Sequence, residues 1–145
     1  MIEAVGHEYL PDFFAQCNRL LKDNGLMVLQ AITFNDRGYQ KYLHAVDFIQ
    51  THVFPGGCLL SNSEILSQAR DHTDMQVTSL VDYGYDYART LIDWRYNFMQ
   101  ALPQLKALGY DDAFMRLWYF YFAYCEAGFL EKTIGVVQVL SLIHI

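Results

Sequence analysis

The stretch Leu20-Leu21-Lys22-Asp23-Asn24-Gly25-Leu26-Met27-Val28-Leu29-Gln30-Ala31-Ile32-Thr33 decides the fold. Its first half closes a helix. Leu10, Phe13, Phe14, Cys17, Leu20 and Leu21 recur at the spacing of one helical face over Glu8 to Asp23. Lys22 falls in the last turn, and Gly25 suits the C-terminal cap. The second half, Leu26 to Thr33, is almost continuously apolar, as a central parallel strand covered on both faces requires. Helix, tight glycine turn and buried strand make half of a βαβ unit.

On the N-terminal side, Met1-Ile2-Glu3 reads as the tail of a strand. On the other side, Asn35 to Val53 is expected to be helical with irregular ends. Phe54-Pro55-Gly56-Gly57-Cys58 is a loop, because Pro and Gly-Gly interrupt both regular structures. Ser61 is placed to cap a helix reaching about Ala69, with Glu64 at the capping-box position. Met75 to Tyr83 reads as a strand and Asp86 to Leu108 as a long helix kinked or split at Pro103. Asp111 or Asp112 starts a further aromatic-rich helix that Gly128 should end, and Thr133 to about Leu140 is the last strand. Helices alternating with buried strands indicate an α/β sheet, which places its ligands at the carboxyl ends of its strands.

Composition narrows the function. The chain has 145 residues, 53% of them hydrophobic, which is enough for a sizeable core and argues against disorder. The net charge is -6 and no Lys/Arg cluster stands out, so a nucleic acid partner is not expected. The aromatic share of 16% fills a core but also suits a pocket for a long apolar ligand. Cys17, Cys58 and Cys125 are far apart and odd in number, which supports neither a zinc site nor a disulfide framework. No basic segment followed by an apolar run begins the chain, and no apolar run approaches the roughly 20 residues that span a bilayer. No glycine-rich dinucleotide or Walker-type loop occurs, and Gly56-Gly57 alone reads as a turn.

Five segments in order resemble the C-terminal region of cyclopropane-fatty-acyl-phospholipid synthases and related class I lipid methyltransferases. They are Met1-Ile2-Glu3-Ala4-Val5-Gly6, Leu20 to Leu26, Phe54-Pro55-Gly56-Gly57-Cys58-Leu59, Tyr87-Ala88-Arg89-Thr90-Leu91 with Trp94, and Tyr124-Cys125-Glu126-Ala127-Gly128-Phe129. Each is weak alone, but together they cover the chain to about Val139. The resemblance implies the C-terminal part of a Rossmann-like methyltransferase domain over residues 1–139, with helical insertions on the lipid side. It also implies that the glycine-rich cofactor loop and its acidic ribose-binding residue lie upstream of Met1, so that the chain alone should be inactive.

The implied reaction moves the methyl group of S-adenosylmethionine onto a cis double bond of a phospholipid acyl chain and closes a cyclopropane ring. In the family the base is a bound bicarbonate ion. Glu3 matches its Glu ligand, Ile32 its backbone amide and Tyr87 its Tyr, while Gln30 stands where some members have His. Gln keeps a donor and an acceptor but cannot carry a proton charge. The resemblance further implies a cytoplasmic enzyme peripheral to the inner membrane, acting on unsaturated phospholipid acyl chains, and it leaves a homodimer open. Without it, Glu3 reads as a capping carboxylate, Tyr87 as a core-edge tyrosine and Gln30 as a polar strand residue bonded to a neighbouring loop. Trp118-Tyr119-Phe120-Tyr121-Phe122 occupies all faces of a helix, so part of it must be core. Two rivals stand beside this reading. One is a sister methyltransferase making a branched or otherwise modified chain; the other is a non-catalytic acyl-binding module.

The ending Leu140-Ser141-Leu142-Ile143-His144-Ile145 matches one translation frame of a common sequencing-library transposon end. We expect residues 140–145 to be a non-native tail and give His144 no functional weight.

Overall fold

The computed structural model describes residues 1–143. His144 and Ile145, with the expectation that concerns them, lie outside the described residues. The chain forms two compact units, one of Met1–Tyr83 together with the segment from Ile134 onward, the other of Gly84–Thr133.

The first unit is built on a four-stranded sheet. Its elements are α1 (Leu10–Leu20), β1 (Leu26–Phe34), α2 (Tyr39–Leu43), α3 (Phe48–His52), β2 (Leu60–Ser61), α4 (Asn62–His72), β3 (Met75–Asp82) and β4 (Ile134–Ile143). The strand order is β2-β1-β4-β3. Only β1 and β2 run parallel, with Thr33 opposite Leu60. β4 is antiparallel to β1 from Leu26↔Leu142 to Phe34↔Ile134, and antiparallel to β3 with a register shift between Val77 and Ser79. The sheet is therefore mixed. Residues Leu140 to Ile143 take part in this ladder.

Alternation along the strands sorts the two faces. Ala31, Val137 and Val139 join Ile2, Leu10, Phe14, Leu60, Ile65 and Ala69 in one buried cluster, with Met27 and Leu29 packed against it. Leu10 and Phe14 are almost fully buried, and each contributes about 1.5–3 kcal/mol by leaving water. Leu20, expected on the same stripe, is instead 71% exposed. The opposite sheet face is open: Leu26 and Val28 are 62% and 66% exposed. The expectation of a central parallel strand holds for β1 only towards β2, because β4 on its other side runs antiparallel. An apolar run without strict alternation does not by itself say which neighbours cover it.

Local chemistry explains the element ends. Ser61 accepts from the Glu64 N–H at 3.1 Å and starts α4. Asp47 and Gln50 form a reciprocal capping box on α3. Met1–Glu3 is no strand tail, since Ile2–Ala4 is a 3-10 turn followed by a second one at His7–Tyr9.

The second unit is helical, with α5 (Gly84–Gln100), α6 (Leu102–Ala107) and α7 (Asp112–Leu130). The expected split occurs at Ala101, and Pro103 sits in the first turn of α6, where a missing N–H costs nothing. Asp111 caps α7 by accepting from the Phe114 N–H at 2.8 Å. Gly128 does not end α7. The helix continues to Leu130, and Lys132 turns the chain at φ 55°. α5 and α7 are joined by Arg95, which donates to Glu126 at 2.8 Å, and by the Phe98 and Phe122 rings, 5.6 Å apart. Among the described residues no helix is long and apolar enough to cross a membrane.

Candidate functional site

β2 pairs with only Thr33 and Phe34 of β1. The edge of β1 just before them is open, and its backbone amides need another acceptor. Glu3 supplies it. The buried Ile2 anchors the 3-10 turn in the core. The Glu3 carboxylate then accepts from the Ile32 N–H at 2.7 Å through Oε1, and from the chain's N-terminal ammonium at 2.7 Å through Oε2. Burial pushes the Glu3 carboxyl up. The hydrogen bonds from the N-terminus and from Ile32 outweigh it and hold the group below its ordinary value. The result is a half-buried carboxylate, ionised at neutral pH, against a strand-end amide.

Glu3 and Ile32 thus bond each other directly. Gln30 is exposed, and its amide oxygen accepts from Gln138 Nε2 at 2.9 Å across the sheet. Its partner is a strand and not a loop. Tyr87 belongs to the helical unit, near the start of α5. Its ring lies 5.1 Å from Phe129 and 6.1 Å from Trp94. Beside it, the Tyr121 hydroxyl is pushed up to about 12 by burial, with smaller effects of Cys125 and Tyr87.

The aromatic run divides as its helical spacing demands. Phe122 is buried, whereas Tyr119 and Phe120 are exposed. Within the helical unit a cleft of about 440 Å³ is walled by Met99, Leu102, Met115 and Tyr119, with Lys106 and Arg116 at its polar side. Among the described residues no group of His, Cys, Asp and Glu could hold a metal ion.

One contact carried no sequence signal. The Cys58 N–H donates to the Glu3 carbonyl at 2.8 Å, so the Phe54–Leu59 loop holds the backbone that carries the carboxylate. The loop's Pro and glycines mark it as irregular, but a backbone-to-backbone bond leaves no trace in residue identity.

The Ile32 N–H is spent on Glu3 Oε1, so the two groups satisfy each other, and an oxyanion would reach them only by parting that bond. A simple dianion would find the carboxylate repulsive.

Comparison with known proteins shows the family. A family model described as mycolic acid cyclopropane synthetase matches residues 1–139. The tuberculostearic acid methyltransferase of Mycobacterium tuberculosis is 38% identical over 95% of this chain and 32% of its own length. The cyclopropane-fatty-acyl-phospholipid synthase of Escherichia coli is 32% identical over 97% of this chain and 35% of its own length. The chain therefore spans about a third of each relative. A crystal structure of a mycolic acid cyclopropane synthase complexed with SAH and CTAB superposes with a TM-score of 0.85 at 28% identity, covering 97% of this chain and 52% of that one.

Proposed function

This chain belongs to the mycolic acid cyclopropane synthetase family, whose members include S-adenosylmethionine-dependent methyltransferases, and on that footing we propose that it is part of an enzyme that methylates the cis double bond of an unsaturated phospholipid acyl chain and closes it to a cyclopropane. The observation that carries the proposal is the Glu3 carboxylate on the Ile32 amide at the end of β1.

S-adenosylmethionine, bound mainly by residues outside this chain, supplies the methyl group. Glu3 and the Ile32 N–H, which bond each other in this chain, would part to hold the bicarbonate that this reading takes as the base. Glu3 must stay ionised to orient it, which the Ile32 N–H on its carboxylate favours. By the resemblance Tyr87 is a further candidate; within the helical unit its ring packs on Phe129 and Trp94, and an aromatic surface of that kind would keep water from an acyl carbocation that water would trap as an alcohol. Aromatic faces stabilise that passing cation. The balance is simple: the alkene gains CH3+ and loses one proton, for a net gain of CH2. The exposed aromatic side chains of the helical unit suit an acyl chain, and in this reading the enzyme works from the cytoplasmic side, peripheral to the inner membrane.

A second reading, a methyltransferase that leaves a branched chain, is favoured by the 38% identity to a tuberculostearic acid methyltransferase. The test is lipid mass spectrometry on cells expressing the full-length gene. A ring product gains CH2 and takes up no hydrogen under mild hydrogenation, whereas a methylene branch gains CH2 and still takes it up. Glu3→Gln in the full-length protein should lower turnover at least about a hundredfold, as loss of a group that orients a base does. Unchanged turnover would remove Glu3 from the site.

A further inference from the structure

The loop that holds Glu3 is itself held at three successive residues. The Gly57 carbonyl accepts from Gln50 Nε2 at 3.0 Å, and the Cys58 N–H donates to the Glu3 carbonyl at 2.8 Å. The Leu59 N–H donates to the Tyr42 hydroxyl at 3.0 Å. Gln50 is fixed by its capping box with Asp47. Tyr42 is the more informative anchor, because it also touches the other half of the site. Its ring is buried and stacks on Phe34, with centroids 4.6 Å apart and planes 16° apart. Phe34 ends β1, the strand that carries the Ile32 amide.

We propose that Tyr42 is a positioning residue. Its ring rests on the end of β1 and its hydroxyl holds the Gly57–Leu59 strap, so that the Glu3 carboxylate is kept in register with the Ile32 amide for the bound oxyanion. The inference rests on the reading of Glu3 and Ile32 as an anion site. Tyr42 does not touch the anion; it acts through Cys58 and the Glu3 backbone.

A plain packing role would need only the ring, so Tyr42→Phe separates the two. The neighbouring Tyr39 provides the control, since its hydroxyl is buried without a hydrogen-bond partner. The 15N-labelled chain is titrated with sodium bicarbonate while the Ile32 amide resonance is followed, and amide exchange is measured at Ile32 and Cys58. Losing one buried hydrogen bond, about 1 kcal/mol, corresponds to about fivefold. Tyr42→Phe should raise the bicarbonate concentration at half-saturation by about that factor and speed exchange at both amides, with Tyr39→Phe unchanged in both. Parent-like titration and exchange in Tyr42→Phe would overturn the proposal, as would equal effects in the two variants. If bicarbonate leaves Ile32 unmoved in the parent chain, the anion reading fails. Exchange then decides the positioning role alone, faster exchange at both amides supporting it and unchanged exchange ending it.

Discussion

At the scale of single residues, the Glu3–Ile32 bond makes a pH-dependent link. Glu3 has its carboxyl held below the ordinary value in the folded chain. Its contribution to stability is therefore fully present above the unfolded value, near 4.5, and is lost as pH falls through the lower folded value. One of the three groups holding it down is the terminal ammonium of this 145-residue chain, beside the Ile32 amide and Glu3's own amide. Acetylating that amine in the 145-residue chain should raise the Glu3 pKa toward its ordinary value while leaving the Ile32 bond in place, as a carboxyl 13C titration would show. A titration that ignores acetylation would mean that the two backbone amides set the shift. The residue-level roles were legible only through the family resemblance. Glu3 and Ile32 lie 29 positions apart, and a carboxylate that caps a strand edge has no local pattern. Gln30 is a candidate because it stands where some family members have His, but its partner Gln138 is 108 positions away and is set by β-pairing register, which residue identity does not reveal.

At the scale of elements, turns and caps were the most legible features, because they depend on a few adjacent residues. Gly25 shows how tight such a turn is. Its N–H donates to the Lys22 carbonyl at 2.7 Å, and a Cβ at Gly25 would sit 2.6 Å from that same oxygen. The oxygen is backbone and cannot step aside, so Gly25→Ala should destabilise the sheet unit by about 1–3 kcal/mol, measured by denaturant unfolding. A change within about 0.5 kcal/mol would show that the α1–β1 connection relaxes freely. The break before Pro103 and the Asp111 cap were equally legible. The end of α7 was not: Gly128 stays helical because the stop lies at Lys132, and the Thr133 N–H reaches back to the Gly128 carbonyl at 2.9 Å. A glycine is a common terminator but not an obligatory one. Strand direction was also hidden, since the apolar run of β1 suits a parallel neighbour and an antiparallel one alike.

At the scale of the molecule, the question is whether the sheet unit depends on the helical unit for its folding. The buried cluster of Ile2, Leu10, Phe14, Ala31, Leu60, Ile65, Ala69, Val137 and Val139 draws every member from the sheet unit. The chain leaves that unit after β3 and returns at β4, and those two strands are antiparallel neighbours, with Asp82 opposite Val137 and the Tyr83 N–H on the Val136 carbonyl at 2.7 Å. Two such strand ends can be joined by a short Asn-Gly turn. Replacing Gly84–Thr133 by that turn should therefore leave a folded sheet in which the Ile32 amide stays protected by Glu3, while Tyr87 is removed altogether. Dispersed amide resonances and slow exchange at Ile32 are the expected result; a collapsed spectrum would show that the helical residues are needed to fold the sheet. The open face with Leu26 and Val28 would favour self-association of such a protein, so the measurement belongs at low concentration or with Leu26→Lys in place. Folding of the shortened chain with Ile32 still protected would show that the Glu3–Ile32 bond needs no residue of the helical unit.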